Sequence, residues 1–171
     1  MYGFAMSGKM TRMKMVGGLC SLAAALGIPS KPAGADTEHF EVTHTDAEWK
    51  AKLSPAAYNV LRQHGTEYPG SSPLDHETHA GIYNCDGCEL PLFDSKTKFD
   101  SGTGWPSFYE PLKNAVETSD DNSMFVSRTE VHCRRCGGHL GHVFDDGPKP
   151  TGLRFCMNGV ALDFKPAEKA H

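Results

Sequence analysis

The sequence has no apolar run long enough to cross a membrane. Its most hydrophobic stretch, residues 15–28, falls short of the roughly 20 apolar residues of a membrane-spanning helix. The sequence also has no low-complexity tract and no internal repeat except two C-x-x-C units. With 39% hydrophobic and 22% charged residues, its composition is that of a soluble globular protein. We therefore expect no stable membrane association.

A surplus of basic residues is also missing. The formal net charge is -4, and residues 1–35 hold four of the 17 basic residues and no acidic one. The rest of the chain therefore carries 13 basic against 21 acidic residues. Such an acidic body repels a phosphate backbone, which argues against nucleic acid as a partner. A length of 171 residues fits one domain and leaves no room for a second of similar size.

The first 35 residues have the features of a targeting segment. Scattered Lys and Arg precede the apolar residues 15–28, and small residues at 33–35 precede Asp36, which is the order found in secretory signal peptides. We predict a cleaved segment over residues 1–35 and one domain over residues 36–171, exported to the periplasm or secreted. Organelle import and an uncleaved cytoplasmic tail are the alternatives. Cys20 would leave with the segment.

The remaining sequence predicts a helical N-terminal arm on an antiparallel β domain. Residues 45–49 are expected to open a first helix, and a second is expected between Ser54 as N-cap and Gly65 as stop signal. Beyond this arm, short β-prone runs are separated by turn residues. The predicted strands cover residues 81–84, 108–112, 124–132 and 152–164.

Four of the six cysteines form two C-x-x-C pairs, Cys85 with Cys88 and Cys133 with Cys136. Each C-x-x-C turn directs two thiolates at one cation, and two such turns complete a tetrahedral shell that suits zinc. Two disulfides or two redox dithiols are the competing interpretations, and export would favour disulfides. The duplicated spacing is more typical of metal sites. A closed shell has no open position, so this zinc is expected to stabilise the fold only.

Cys156 is a lone thiol with no cysteine partner nearby in the sequence. In a strand over residues 152–164, the two-residue alternation places Cys156 on a polar face with Arg154 and Asn158, and Leu153 on the opposite apolar face. An Arg neighbour favours the thiolate, which is the form that attacks electrophiles. A half-buried structural cysteine is the alternative.

His139 and His142 lie three residues apart in the glycine-rich stretch after the second C-x-x-C pair, where we expect a loop. Metal ligation, acid–base catalysis and a purely structural role all remain open for them. Their ordinary pKa range suits general acid–base work beside a thiol. For acid–base work, Asp145 or Asp146 is a candidate to orient one of the rings.

Trp105 lies between Gly104 and Pro106, where its ring is held rigidly. Such a ring either packs in the core or forms the wall of a small apolar pocket. Sulfur contacts with aromatic rings are favourable, so a pocket walled by this ring would suit a methyl-thio group.

Together these segments resemble the B-type methionine sulfoxide reductases, which act on the R epimer of methionine sulfoxide. The shared motifs lie, in order, at residues 65–67, 81–85, 98–108, 139–144 and 154–158. The resemblance implies a mainly β fold with short N-terminal helices, in which two packed antiparallel sheets (a β-tent) are stapled by a zinc site of four cysteines. The zinc ligands it implies are Cys85, Cys88, Cys133 and Cys136. The catalytic residues it implies are Cys156, His139, His142 and Asn158, and the substrate-binding residues are Trp105, Arg154, Phe144 and Asp146.

The same resemblance implies the chemistry. Cys156 attacks the sulfoxide sulfur of an oxidised protein or peptide and becomes a sulfenic acid, while His139 or His142, with Asn158, protonates and holds the departing oxygen. No organic cofactor is implied. Many family members have a resolving cysteine between the two glycines that precede the Trp, where this sequence has Thr103. We therefore expect an external thioredoxin-like protein or a small dithiol to regenerate the thiol.

Two other functions compete with this one. A non-catalytic zinc-stapled β-tent binding module, like the Yippee and cereblon-type domains, would keep the C-x-x-C pairs without needing the residues of the catalytic motifs. A thiol–disulfide oxidoreductase would cycle one C-x-x-C pair and could not hold zinc during turnover.

Overall fold

The computed structural model describes residues 39–123 and 126–168. The predicted targeting segment, with Cys20, lies outside these residues. Among the described residues, no helix is long and apolar enough to cross a membrane.

Two consecutive helices precede the β domain, as predicted. Helix α1 covers Asp46–Lys52 and begins with a reciprocal capping box between Thr45 and Glu48, which satisfies backbone donors at the helix start. Helix α2 covers Pro55–Gln63 and is capped by Ser54. It ends one residue earlier than predicted, because His64 adopts the left-handed conformation (φ 54°) that closes the helix.

The described residues form two antiparallel sheets, which confirms the predicted fold class. A three-stranded sheet has the order β2-β1-β9, with β1 at Gly81–Cys85, β2 at Pro91–Asp94 and β9 at Leu162–Pro166. A six-stranded sheet has the order β3-β4-β8-β7-β6-β5. Its strands are β3 Lys98–Phe99, β4 Ser107–Phe108, β5 Val116–Asp121, β6 Arg128–Cys133, β7 His139–Phe144 and β8 Arg154–Met157.

An aromatic cluster joins the two sheets. Phe93 of the small sheet stacks on Phe108 of the large sheet with ring centroids 4.4 Å apart. Tyr83 contacts the same Phe108 ring edge-on at 4.9 Å. All three residues have no exposed surface, so burial of these rings accounts for a large share of the packing between the sheets.

Three of the four predicted strands were wrong in extent. The region predicted at 108–112 is a two-residue strand, β4. In the region predicted at 124–132, Met124 and Phe125 lie outside the described residues, residues 126 and 127 belong to no strand, and strand β6 begins at Arg128. The region predicted at 152–164 breaks after Met157 into a 3-10 helix, Gly159–Ala161, and its two halves join different sheets.

Three strands of the large sheet, β3, β5 and β7, were not predicted as strands. The histidine-rich stretch expected to be a loop is strand β7. The polar sequence of β5, VETSDD, has no apolar alternation, because this strand lies at the sheet edge and is half exposed. Leu153, predicted on a buried face, precedes β8 and is 37% exposed.

Candidate active site

The four paired cysteines meet at one point between the two sheets. Each C-x-x-C pair lies in a tight turn at the end of a strand, β1 for the first and β6 for the second. The turns are alike: Glu89 and Gly137 both have positive φ and both donate their N–H to the carbonyl of the first cysteine of their pair. In the first turn, a non-glycine residue, Glu89, thus occupies the left-handed position.

The cysteine geometry suits a metal ion. All four Sγ atoms lie within 4.8 Å of one another, and all four residues are buried. The short contacts join one pair to the other, Cys85 to Cys136 at 3.7 Å and Cys88 to Cys133 at 3.5 Å. A tetrahedral zinc with bonds of about 2.3 Å requires sulfur separations of about 3.8 Å. The four thiols are free, which does not fit the competing disulfide interpretation.

The lone thiol lies at the centre of the large sheet. Strand β8 runs between β4 and β7, so that Cys156 pairs in register with Ser107 on one side and His142 on the other. Cys156 is half-buried and lines a surface pocket. The pocket is lined by Thr66, Trp105, Arg128, Gly141, His142, Phe144, Cys156 and Asn158.

Burial dominates the acidity of this thiol. It raises the pKa of Cys156, while a hydrogen bond from Thr103 and the charge of Arg154 act in the opposite direction with smaller effect. The expectation that Arg154 would make Cys156 a thiolate in the free protein was therefore wrong. Desolvation penalises the charged thiolate more than the Arg154 cation stabilises it. At neutral pH the thiol is protonated.

Arg154 is held in a fixed position by Asp146. Its guanidinium forms two hydrogen bonds to that carboxylate, both 2.8 Å long, and lies over the Phe144 ring at 4.4 Å. Phe144 lines the pocket, whereas Arg154 and Asp146 do not. Asp146 thus orients an arginine and not a histidine ring, contrary to the sequence expectation.

A β-bulge brings the two histidines together. In a regular strand, residues three apart point to opposite faces, but the pairing of β6 with β7 shifts between Val131 and His132. The resulting extra residue in β7 resets the alternation. His139 and His142 therefore lie with their ring centroids 5.4 Å apart.

Each histidine is bound to a carboxylate that the sequence analysis missed. His142 Nε2 donates to Asp121 Oδ2 at 2.8 Å, and His139 Nδ1 donates to Glu130 Oε1 at 2.6 Å. Hydrogen bonds from Ser123, and then from His142, hold the pKa of Asp121 well below its ordinary value. The His139 hydrogen bond lowers the pKa of Glu130 to about 2. Both carboxylates are ionised at neutral pH and determine which ring nitrogen carries hydrogen.

The pKa of His142 is lowered, because burial outweighs the hydrogen bond to Asp121. At neutral pH the Cys156 thiol and the His142 imidazole are therefore both uncharged. The two residues are direct cross-strand partners and line the same pocket.

Glu67 connects three parts of the site. Its backbone N–H donates to Asn158 Oδ1 at 3.0 Å, and its carbonyl accepts from Trp105 Nε1 at 3.3 Å. Its carboxylate accepts the N–H groups of Gly159 and Val160, at the start of the 3-10 helix that follows β8. Asn158 also donates through Nδ2 to the Leu140 carbonyl, so its second Nδ2 hydrogen remains for the pocket that it lines.

Known proteins match this chain over most of its length. The SelR domain matches residues 53–166. The peptide methionine sulfoxide reductase MsrB of Agrobacterium fabrum is 51% identical over 133 residues, which cover 77% of this chain and 98% of the relative. The chain belongs to the MsrB family. The namesake proteins of Pseudomonas entomophila and Methanosarcina barkeri are 54% and 52% identical over 129 residues, covering 75% of this chain and 98% and 91% of the relatives.

Membership of the MsrB family confirms the resemblance inferred from the motifs. The family motif at residues 65–67 was recognised, but its physical role as the Glu67 link was not. Arg128, Asp121 and Glu130 were missed because they come from β5 and β6, whose sequence carries no motif that points to the histidines. Only the pairing of β5, β6 and β7 brings them to the site.

Proposed function

We propose that this MsrB-family protein reduces the R epimer of methionine sulfoxide in oxidised proteins and peptides to methionine. The observation that carries the proposal is that Cys156 lines a pocket together with both apolar and polar side chains. Trp105 and Phe144 form an apolar wall suited to the methyl-thio end of the substrate. His142 and Asn158 form a polar wall suited to the sulfoxide oxygen.

In the proposed reaction, the Cys156 sulfur attacks the sulfoxide sulfur as its proton moves to His142. The sulfur–oxygen bond of the substrate breaks, the oxygen ends on Cys156 as a sulfenic acid, and methionine leaves. The proton returns from His142 to that oxygen, so a neutral thiol and a sulfoxide give a sulfenic acid and a sulfide without uptake of a further proton. The free Nδ2 hydrogen of Asn158 stabilises the developing charge on oxygen.

The surrounding residues are proposed to position this machinery. Asp121 keeps the hydrogen of His142 on Nε2, which leaves Nδ1 to accept the thiol proton. Glu130 keeps the hydrogen of His139 on Nδ1. Asp146 holds Arg154 near the sulfur, where the arginine's charge favours the thiolate formed during attack. We also propose zinc as the ion bound by the four paired cysteines, with a purely structural role because the closed shell leaves no site for substrate.

The test of the function is a comparison of two substrate epimers. Peptides that carry methionine R-sulfoxide or methionine S-sulfoxide are incubated with the protein and dithiothreitol, and methionine formation is measured by chromatography. We expect reduction of the R epimer and none of the S epimer above the rate without protein. Equal reduction of both epimers, or reduction of neither, would contradict the proposal. If neither epimer were reduced but the sulfoxide peptide still bound, the non-catalytic binding module would be favoured.

The sulfenic acid is proposed to be reduced directly by an external thioredoxin-like protein or small dithiol. Thr103 occupies the position of the resolving cysteine of many relatives, and its Oγ1 lies 3.9 Å from Cys156 Sγ. A threonine cannot form a disulfide. Oxidised wild-type protein is therefore expected to react with a dimedone-type probe at Cys156.

The substitution Thr103→Cys is expected to create an internal resolving step. A 3.9 Å contact needs only a side-chain rotation to reach disulfide bonding distance, so one turnover without reductant should leave an internal disulfide and abolish dimedone labelling. Mass spectrometry checks both. The matched control is Thr118→Cys on the exposed edge strand β5, which β6 and β7 separate from Cys156; it should keep the labelling. Persistent labelling of Thr103→Cys would contradict the proposed geometry.

The pH dependence of kcat/KM is expected to show the titration of Cys156 and His142, the two groups between which the proton is proposed to move. The pKa of Cys156 lies above its ordinary value of 9.0, and that of His142 lies below its ordinary value of 6.5. The reactive form, thiolate with imidazolium, then has a constant population between these values and a falling one on either side. We expect a plateau from about pH 6.5 to 9.

The variant His142→Asn is expected to lose this plateau. Without the imidazole, kcat/KM should drop about 10²-fold or more at pH 7 and rise with pH toward 9 as the thiolate fraction grows. Steady-state assays across this range with the R epimer provide the measurement. A plateau that survives the substitution would mean that another group, such as His139, takes the proton.

We also propose that the protein is exported after cleavage before Asp36. The support is the order of charged, apolar and small residues in segment 1–35. N-terminal sequencing of the protein recovered from a secretory host should begin near Asp36, and recovery of the intact N-terminus from the cytoplasm would overturn the proposal.

A further inference from the structure

A second set of ligand-type side chains converges behind the histidines of the pocket. The set comprises His64, Glu130 and His139, and we refer to it as the His64 cluster. His64 and His139 both direct Nδ1 at Oε1 of Glu130, at 3.0 and 2.6 Å. The three ligand atoms lie within 4.8 Å of one another.

The fold brings these residues from three elements. His64 ends helix α2 in a left-handed conformation, Glu130 lies on β6, and His139 lies at the bulged start of β7. The side chains of Glu130 and His139 are 13% and 3% exposed, whereas that of His64 is 67% exposed. The cluster therefore has a rigid, buried half and an accessible outer ligand.

Two imidazoles and one carboxylate are a ligand set for late divalent transition cations such as Zn²⁺ and Co²⁺. The hard cations Mg²⁺ and Ca²⁺ prefer an all-oxygen shell and fit this set poorly. Bonds of about 2.0–2.1 Å require ligand separations of about 3.3 Å, so the two distances from the imidazoles to Glu130 Oε1 need to lengthen by less than about 1 Å. A cation would replace the two Nδ1 hydrogens. The open side at His64 leaves room for water ligands.

The charge around the cluster also favours a cation. The cavity over it is lined by two further carboxylates, Asp120 and Asp121, against one cationic side chain, Arg128. Asp121 is already paired with Arg128 at 2.7 Å, and Asp120 is exposed.

We propose that the His64 cluster binds a late divalent first-row transition cation and that this binding inhibits the reductase reaction. The inhibitory part rests on the proposed function. A cation on His139 places positive charge beside His142, whose ring centroid is 5.4 Å from that of His139. That charge disfavours the imidazolium that His142 must become when it accepts the thiol proton.

Binding is tested separately from activity. The Cys156→Ser variant, with one zinc per chain in the four-cysteine site, is titrated with Co²⁺ while visible absorption and heat of binding are recorded. The serine removes the lone thiol as a competing ligand. We expect one further equivalent to bind, and the additional change His64→Ala to weaken binding by about tenfold or more.

A matched control is available in His79. Its Nδ1 contacts Glu77 at 2.7 Å on an exposed surface, but among the described residues this pair does not belong to a group of three converging ligands. His79→Ala should therefore leave Co²⁺ binding unchanged. If no further equivalent of Co²⁺ bound, or if His64→Ala and His79→Ala weakened Co²⁺ binding equally, the proposed metal site would be overturned.

Inhibition is tested in a single turnover without thiol reductant, because dithiols bind zinc. Wild-type protein should form about one methionine per chain from the R epimer, and added Zn²⁺ should slow this formation severalfold. His64→Ala should match the wild-type rate without Zn²⁺ and resist inhibition. Inhibition of His64→Ala equal to that of the wild type would place the cation on Cys156 and overturn the proposal. If wild-type protein formed no methionine even without added Zn²⁺, while the Co²⁺ titration still showed the extra equivalent, the proposed function would be refuted and the metal site would stand.

Discussion

Replacement of Cys156 by serine is expected to lower reduction of the R epimer by on the order of 10⁴-fold or more. The reaction transfers oxygen from one sulfur to another, and a serine hydroxyl has no comparable oxidation product. Its pKa also lies far above that of a thiol, so His142 cannot activate it effectively. Methionine formation by wild type and Cys156→Ser should be compared at equal protein concentration with dithiothreitol.

The fold of this variant should be unaffected, because serine is nearly isosteric and Cys156 is only half-buried. Zinc content and the thermal unfolding midpoint serve as controls. Substantial activity in Cys156→Ser would mean that another thiol is the nucleophile. The candidates would then be the cysteines of the C-x-x-C pairs, as in the competing thiol–disulfide oxidoreductase.

Loss of the four-cysteine site is expected to unfold the protein. Structural zinc contributes about 10–16 kcal/mol in small zinc domains, which equals or exceeds the total stability of about 5–15 kcal/mol of a typical domain. The site joins a turn of the small sheet to a turn of the large sheet, so the variant Cys133→Ser should lose zinc and cooperative thermal unfolding. Metal analysis and circular dichroism provide the measurements, with chelator-treated wild type for comparison.

The matched control for Cys133→Ser is Cys156→Ser. Both remove one thiol, but only the first removes a ligand of the four-cysteine site. Cys156→Ser should retain one zinc per chain and the wild-type midpoint. Cooperative unfolding of Cys133→Ser at the wild-type midpoint would show that packing of Tyr83, Phe93 and Phe108 holds the sheets together without the metal.

The sequence by itself determined the features that depend on residue type and short spacing. The C-x-x-C pairs identified the four thiols that meet in the fold, because two thiols three positions apart converge in one turn wherever that turn lies. The starts of both helices followed from local capping by Thr45 and Ser54, which needs no distant partner. The solitary position of Cys156 was evident once the other cysteines had been assigned.

Only the tertiary structure decided what surrounds that thiol. A bulge in β7, set by pairing with β6, brings His139 and His142 together, although the sequence there reads as a glycine-rich loop. Asp121 and Glu130 reach these histidines across strands, at sequence distances over which no periodicity operates. The tertiary structure also decided the pKa of Cys156. Burial depends on all the residues packed around the thiol, and its effect outweighs that of Arg154, the one charge that the sequence placed nearby.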